Sequence, residues 1–133
     1  MDDNTLPDLI AAAVAAAARA YIPYSHYPVG AALHTPEGRI FQGCNIENAS
    51  YPAGICAERV ALVKAISEGE RIFDLLVVAT RNAGSPCGIC RQMLYEFAPG
   101  LRLVIVDFDG QVHWDGTLSD LLPRGFGPLE LEA

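Results

Sequence analysis

Two long apolar runs, residues 73–80 and 101–108, constrain this chain more than any other feature. A strand with one wet face alternates polar and apolar residues, so near-continuous runs of Leu, Val, Ile and Ala belong to strands buried on both faces. Between them, residues 88–97 have helical composition and are stopped by Pro99-Gly100. Strands alternating with helices imply right-handed crossovers and helices on both faces of a sheet.

The remaining segments extend that sheet. Residues 7–21 read as an alanine-rich helix, begun near Thr5 and Pro7 and stopped by Pro23. Residues 29–34 and 39–45 flank Pro36-Glu37-Gly38, which is turn chemistry, and form a hairpin. Residues 56–68 form a second helix that meets Gly69, suited to the left-handed position past a helix end. Residues 81–86 are a loop. Asp109-Gly110 turns the chain into a strand at 111–114, and 118–122 close with a short helix. No internal repeat or linker interrupts this order. The expected fold class is α/β: one domain over residues 1–133, a three-layer α/β/α sandwich around a mixed sheet of about five strands.

Composition narrows the function classes. At 51% hydrophobic and 19% charged residues the chain is no disordered segment, and apolar surface remains for contacts between subunits. A formal charge of −7 repels phosphate backbones, so no nucleic-acid partner is expected. The longest apolar run, residues 9–18, is too short to span a bilayer and follows Asp2, Asp3 and Asp8 rather than a basic segment. A cytoplasmic protein without membrane contact is expected. In a reducing compartment its four cysteines serve as metal ligands, redox groups or buried small residues rather than disulfides.

Cys87 and Cys90 stand three apart at the start of a predicted helix, on one helical face. By itself this pair fits a metal site, a redox dithiol or two buried thiols. Cys56-Ala57-Glu58 adds a third soft ligand and a carboxylate at the start of another helix. First-turn side chains lean towards the N-terminus and can converge just beyond it, where free N–H groups and the helix dipole favour thiolate. Three protein ligands leave a fourth tetrahedral position for water, a catalytic zinc arrangement; Cys44 as fourth ligand would instead close a structural site. Arg59 and Arg91 follow the ligand segments and are expected to donate to the sulfurs, offsetting three negative charges.

These residues resemble the small homotetrameric zinc cytidine deaminases. The resemblance runs through Pro23-Tyr24-Ser25, Val29-Gly30-Ala31-Ala32, Gly43-Cys44-Asn45-Ile46-Glu47-Asn48, Cys56-Ala57-Glu58-Arg59, Pro86-Cys87-Gly88-Ile89-Cys90-Arg91-Gln92 and Leu121-Leu122-Pro123. It implies one Zn2+ per chain on Cys56, Cys87 and Cys90, where the broader zinc-deaminase signature has His in place of Cys56. It further implies hydrolytic deamination of cytidine and deoxycytidine in pyrimidine salvage, with Glu58 shuttling protons. Asn45 and Glu47 bind the ribose, while Tyr27, Ala57 and Phe126 complete the substrate contacts. Tyr27 departs from the usual phenylalanine, and its hydroxyl needs a partner if buried. The tail aromatic Phe126 is expected to close over a site on a neighbouring subunit, from a segment free beyond the last packed element. A polynucleotide-editing deaminase would share the chemistry but needs a basic groove. A deaminase of modified nucleosides would change the sugar contacts, and a structural zinc or thiol-redox module would not need Glu58 or the open ligand position.

Overall fold

The two apolar runs become β3 (Leu75–Ala79) and β4 (Arg102–Val106), paired in parallel within a five-stranded sheet in the computed structural model, which describes residues 3–132. With β1 (Gly30–His34), β2 (Ile40–Cys44) and β5 (Val112–Thr117), the strand order is β2-β1-β3-β4-β5, and every other pairing is antiparallel. The helices are α1 (Thr5–Ala17), α2 (Ala57–Ser67), α3 (Gly88–Phe97), α4 (Leu118–Leu121) and α5 (Pro128–Glu132).

Alternation along the strands divides the core into two layers. Leu75, Val77 and Ala79 join Ala32, Val104 and Val106 beneath Leu9 and Ala13 of α1. Leu76 and Val78 face the other way, with Ala31, Leu33, Leu103 and Ile105, onto Ala57, Ala61, Leu62, Leu94 and Leu118 of α2, α3 and α4. A sheet clad on both sides explains why β3 and β4 lack polar alternation. The result is the expected three-layer α/β/α sandwich around a mixed five-stranded sheet.

Two glycines set how closely the helices approach. A Cβ on Gly43 would lie 2.3 Å from the Ala57 carbonyl oxygen and 2.6 Å from the Ala61 nitrogen, both main-chain atoms of α2. On the other face, a Cβ on Gly30 would lie 1.9 Å from the Ala13 oxygen of α1. Alanines on the facing helix surfaces complete this near-contact, and it holds the start of α2 at the sheet edge where β2 ends, β1 begins and β3 ends.

The elements differ from expectation mainly where tertiary pairing intervenes. α1 stops at Ala17 instead of residue 21, because Tyr21 pairs with the strand beyond β2: its N–H donates to Asn45 O and its carbonyl accepts from Glu47. β5 runs to Thr117 as an exposed edge strand, where polar residues and the Arg102–Asp115 ion pair hide the apolar signal. A 3-10 turn at Tyr51–Ala53 and the tail helix α5 were not expected. Cys56 caps α2 rather than opening it, and Gly69 adopts φ 97° past its end, as expected. Among the described residues no helix is long and apolar enough to cross a membrane.

Gly43→Ala is expected to destabilise the protein by about 3 kcal/mol, because the new methyl meets α2 backbone that cannot rotate away. Gly100→Ala, whose Cβ meets nothing within 4 Å, is expected to stay within about 0.5 kcal/mol of wild type in the same urea titration.

Candidate metal centre and cleft

Two helix starts bring the three cysteines together. Cys56 is the N-cap of α2, Cys87 the N-cap of α3, and Cys90 lies one turn into α3. Their sulfurs all lie within 4.8 Å of one another, with Cys56 to Cys87 at 3.8 Å and Cys87 to Cys90 at 3.5 Å. Tetrahedral sulfurs about 2.3 Å from a zinc are about 3.8 Å apart, so this donor set fits zinc in both chemistry and spacing. Cys44 stands outside the cluster, half-buried at the end of β2, where it pairs with Gly30. The structural-site alternative with Cys44 as fourth ligand therefore loses its geometry.

The electrostatics separate the groups. Cys56 is held as a thiolate, its pKa lowered to about 5, chiefly by the Cys90 thiol that donates to it and further by Arg59. Cys90, which makes that hydrogen bond from a buried position, is pushed up. Arg59 Nη2 is 3.8 Å from Cys56 Sγ, while its buried Nε has no hydrogen-bond partner among the described residues. Glu58, only 4% exposed, is pushed up to about 7, mainly by burial and also by the nearby Cys56 charge.

Cys56, Cys87 and Glu58 line one cleft of about 300 Å³ with Ser25, Tyr27, Val29, Asn45, Glu47, Val78, Thr80, Gly84 and Ser85. A larger depression of about 570 Å³ lies over the outer face of α3, lined by Ile89, Gln92, Met93, Glu96 and Phe97 among others, and brings together no comparable chemistry. The Asn45 side chain bridges a bend: Oδ1 accepts from Val29 N at 2.9 Å and Nδ2 donates to Tyr27 O at 2.8 Å. Glu47 Oε1 accepts from the main-chain N–H groups of Tyr24 and Ser25 at 3.0 and 3.1 Å. Hydrogen bonding with Ser25 holds that carboxyl below its usual range. Both residues therefore shape the 24–29 wall as well as facing the cleft.

Three expected residues sit differently. Arg91 reaches no sulfur: Nε donates to Pro86 O, Nη1 to Leu121 O and Nη2 to Ser85 Oγ, at 2.7 to 2.9 Å. Its role as a sulfur donor is corrected to that of a brace for the loop entering Cys87, because the Pro86 carbonyl and Ser85 hydroxyl of that loop and the Leu121 carbonyl of α4 take its donors. Ala57 is buried against β2 at Gly43 and is not among the cleft-lining residues. Phe126 is 55% exposed and also outside the lining, and its carbonyl accepts from Gln92 Nε2 at 2.8 Å. With α5 following it, the tail is anchored on α3 rather than free beyond the last packed element. Thr80, Asn82 and Ser85 were not anticipated; Asn82 lies in a loop whose sequence carries no motif.

Residues 3–106 match the family described as the cytidine and deoxycytidylate deaminase zinc-binding region. A cytidine deaminase of Sporosarcina psychrophila is 44% identical over 126 residues, covering 92% of this chain and 92% of its own. A probable cytidine deaminase of Dictyostelium discoideum is 47% identical over 136 residues, covering 100% of this chain and 91% of its own. The crystal structure of a cytidine deaminase from Burkholderia pseudomallei superimposes with a TM-score of 0.87 at 44% identity, covering 95% of this chain and 100% of that one.

Cys87→Ala and Cys90→Ala are each expected to lose the metal, whereas Cys44→Ala keeps a full complement. Metal counted per chain by elemental analysis checks this; loss from the Cys44 variant would return that residue to the ligand set.

Proposed function

The chain belongs to the cytidine deaminase family, and on that premise we propose that it hydrolyses cytidine and deoxycytidine to uridine and deoxyuridine with release of ammonia. The observation that carries this reading is the sharing of one cleft by Cys56 and Cys87, two of three thiols spaced for zinc, and by a buried glutamate on the helix start that Cys56 caps. A zinc ion held by Cys56, Cys87 and Cys90 supplies Lewis acidity, bringing the ionisation of water near neutral pH.

Glu58 moves the protons. With its ionisation lifted to about 7 it can accept and return a proton near neutral pH. It takes one from the attacking water as the carbon–oxygen bond forms at the ring carbon bearing the amino group, and passes it to the adjacent ring nitrogen. The proton of the new hydroxyl then travels by the same carboxylate to the amino nitrogen as the carbon–nitrogen bond breaks. Water and cytidine leave as uridine and ammonia. Asn45 and Glu47 hold the ribose, and the Tyr27 ring flanks the base. The charged Glu47 carboxylate disfavours a phosphate nearby and so favours nucleosides over nucleotides. Arg59 stabilises the Cys56 thiolate, and Arg91 braces the approach to Cys87.

The working form in this reading is a homotetramer with shared sites. Supporting it, Ile89 is 65% exposed over the apolar groove on α3, and Phe126 is exposed on a tail whose main chain is tied down. Phe126 then closes over a neighbour's cleft.

Zinc-replete protein incubated with cytidine is expected to yield equal uridine and ammonia, and absence of turnover would remove this reading. Glu58→Gln is expected to keep fold and zinc while losing about three or more orders of magnitude in kcat, since the amide keeps the shape but relays no proton. For the shared site, Phe126→Ala, itself impaired, is refolded together with Glu58→Gln. Mixed tetramers, verified by mass, are expected to exceed the average activity of their parents; no excess would mean that Phe126 acts within its own chain or not at all.

A further inference from the structure

Tyr27 carries a hydroxyl that the deamination chemistry does not use. It donates to Asn82 Oδ1 at 2.5 Å, across 55 residues of sequence. The same two segments meet twice more. The Arg81 guanidinium stacks over the Tyr27 ring, 4.6 Å from its centroid, and Arg81 Nη1 donates to His26 O at 3.2 Å. Asn82 belongs to the loop between β3 and α3, the loop that delivers Cys87.

That loop has no regular pairing of its own. Gly84 N donates to Thr80 Oγ1 at 2.6 Å, and Ala83 holds φ 56°, a conformation that alanine seldom adopts. Its far end is braced by Arg91 through Ser85 and Pro86, and its near end by Tyr27. Thr80, Gly84, Ser85 and Cys87 all line the cleft together with Tyr27.

We propose that Tyr27 and Asn82 form a latch that holds the β3–α3 loop against the entry to β1, making them positioning residues for nucleoside binding in the deaminase reaction. This inference rests on the functional reading above. The latch sets the distance between two walls of the cleft, so its loss weakens substrate binding and leaves the proton relay of Glu58 in place.

Gly84 faces the same hydroxyl. A Cβ there would lie 2.8 Å from the Tyr27 hydroxyl, but its next neighbours are Thr80 Oγ1 at 3.6 Å and Asn82 Oδ1 at 3.9 Å, ordinary contacts. Gly84 does not occupy the left-handed region, so its backbone accepts alanine. The tyrosine oxygen is the obstacle that a methyl at this position meets, and removing it makes room.

The test uses zinc-loaded Tyr27→Phe, Asn82→Ala, Gly84→Ala and the doubles Tyr27→Phe/Asn82→Ala and Tyr27→Phe/Gly84→Ala, with cytidine as substrate. Each single change is expected to raise KM about threefold or more, with kcat within about twofold and zinc content unchanged. The Tyr27/Asn82 double is expected to be no worse than Asn82→Ala alone, because both changes remove the Tyr27–Asn82 bond and Asn82→Ala also removes the 3.5 Å contact from Thr80 Oγ1. The Tyr27/Gly84 double is expected to return to the KM of Tyr27→Phe alone. Additive penalties in either cycle, or a Gly84→Ala enzyme with wild-type KM, would overturn the latch. Should Gly84→Ala fail to fold, recovery of folding on adding Tyr27→Phe supports the same contact, and otherwise the Tyr27/Asn82 cycle decides. A wild-type enzyme inactive on cytidine would overturn the functional reading instead. Coupling in Tm between the paired variants would then decide the latch.

Discussion

The cysteine cluster depends on how closely α2 lies against the sheet. Gly43 has no side chain to hold the helix off, and Ala57 and Ala61 bring helix backbone to within 2.3 and 2.6 Å of where a Cβ would stand. Zinc ligand distances tolerate only about 0.2 Å. A single methyl group between α2 and β2 would shift Cys56 by more than that relative to Cys87, which rides on a different helix. Gly30 plays the matching part under α1, so both outer layers meet the sheet at adjacent strands. Close packing of small residues therefore positions a chemical group that is neither small nor apolar.

The capping of these two helices shows what the cluster gives up. N-caps are ordinarily Ser, Thr, Asp or Asn, whose oxygens satisfy a free N–H and stabilise the helix by about 1 kcal/mol each. At α2 and α3 the cap is cysteine, and neither makes a side-chain cap bond. The sulfurs are left available to a metal while still lying in the positive field of the helix ends, which favours thiolate. At Cys56 the Cys90 thiol and then the Arg59 cation lower the pKa to about 5. Helix stability is exchanged for a preformed set of soft ligands, of which Cys56 is the one held as thiolate.

Much of this architecture is legible in the sequence because a buried environment imposes it residue by residue. The runs that become β3 and β4 can be read directly, as can α3, whose residues 88–97 match the observed helix. What escapes the sequence depends on partners far along the chain. Tyr21 leaves a helical pattern because the strand after β2 captures it, and β5 runs past its expected end at Trp114 to Thr117 through pairing with β4. In the site, the cysteines and Glu58 are visible because ligand chemistry demands their types and spacing. Arg91 is visible but misassigned: its adjacency to Cys90 suggests a sulfur contact, whereas its fork finds two oxygens of the loop before Cys87 and one at the end of α4. Asn82 carries no signal, since a loop asparagine acquires meaning only when Tyr27 arrives from elsewhere.

Two glutamates in one cleft, Glu47 and Glu58, meet opposite environments. Glu47 receives two main-chain N–H donors and is drawn below its usual range by hydrogen bonding at Ser25, so it stays charged through the whole neutral region. Glu58 is buried beside an ionised sulfur and is lifted to about 7. Carboxyl groups whose environments push their ionisation apart divide the labour of a site: one remains a fixed anion that orients, the other exchanges protons. The division follows from the backbone. Glu47 lies on an extended segment where the 24–29 bend offers its free N–H groups, whereas Glu58 is on a first helical turn enclosed by the sheet and the second ligand helix. The fold assigns each glutamate its task by deciding which is solvated by amides and which is left among sulfurs and apolar walls.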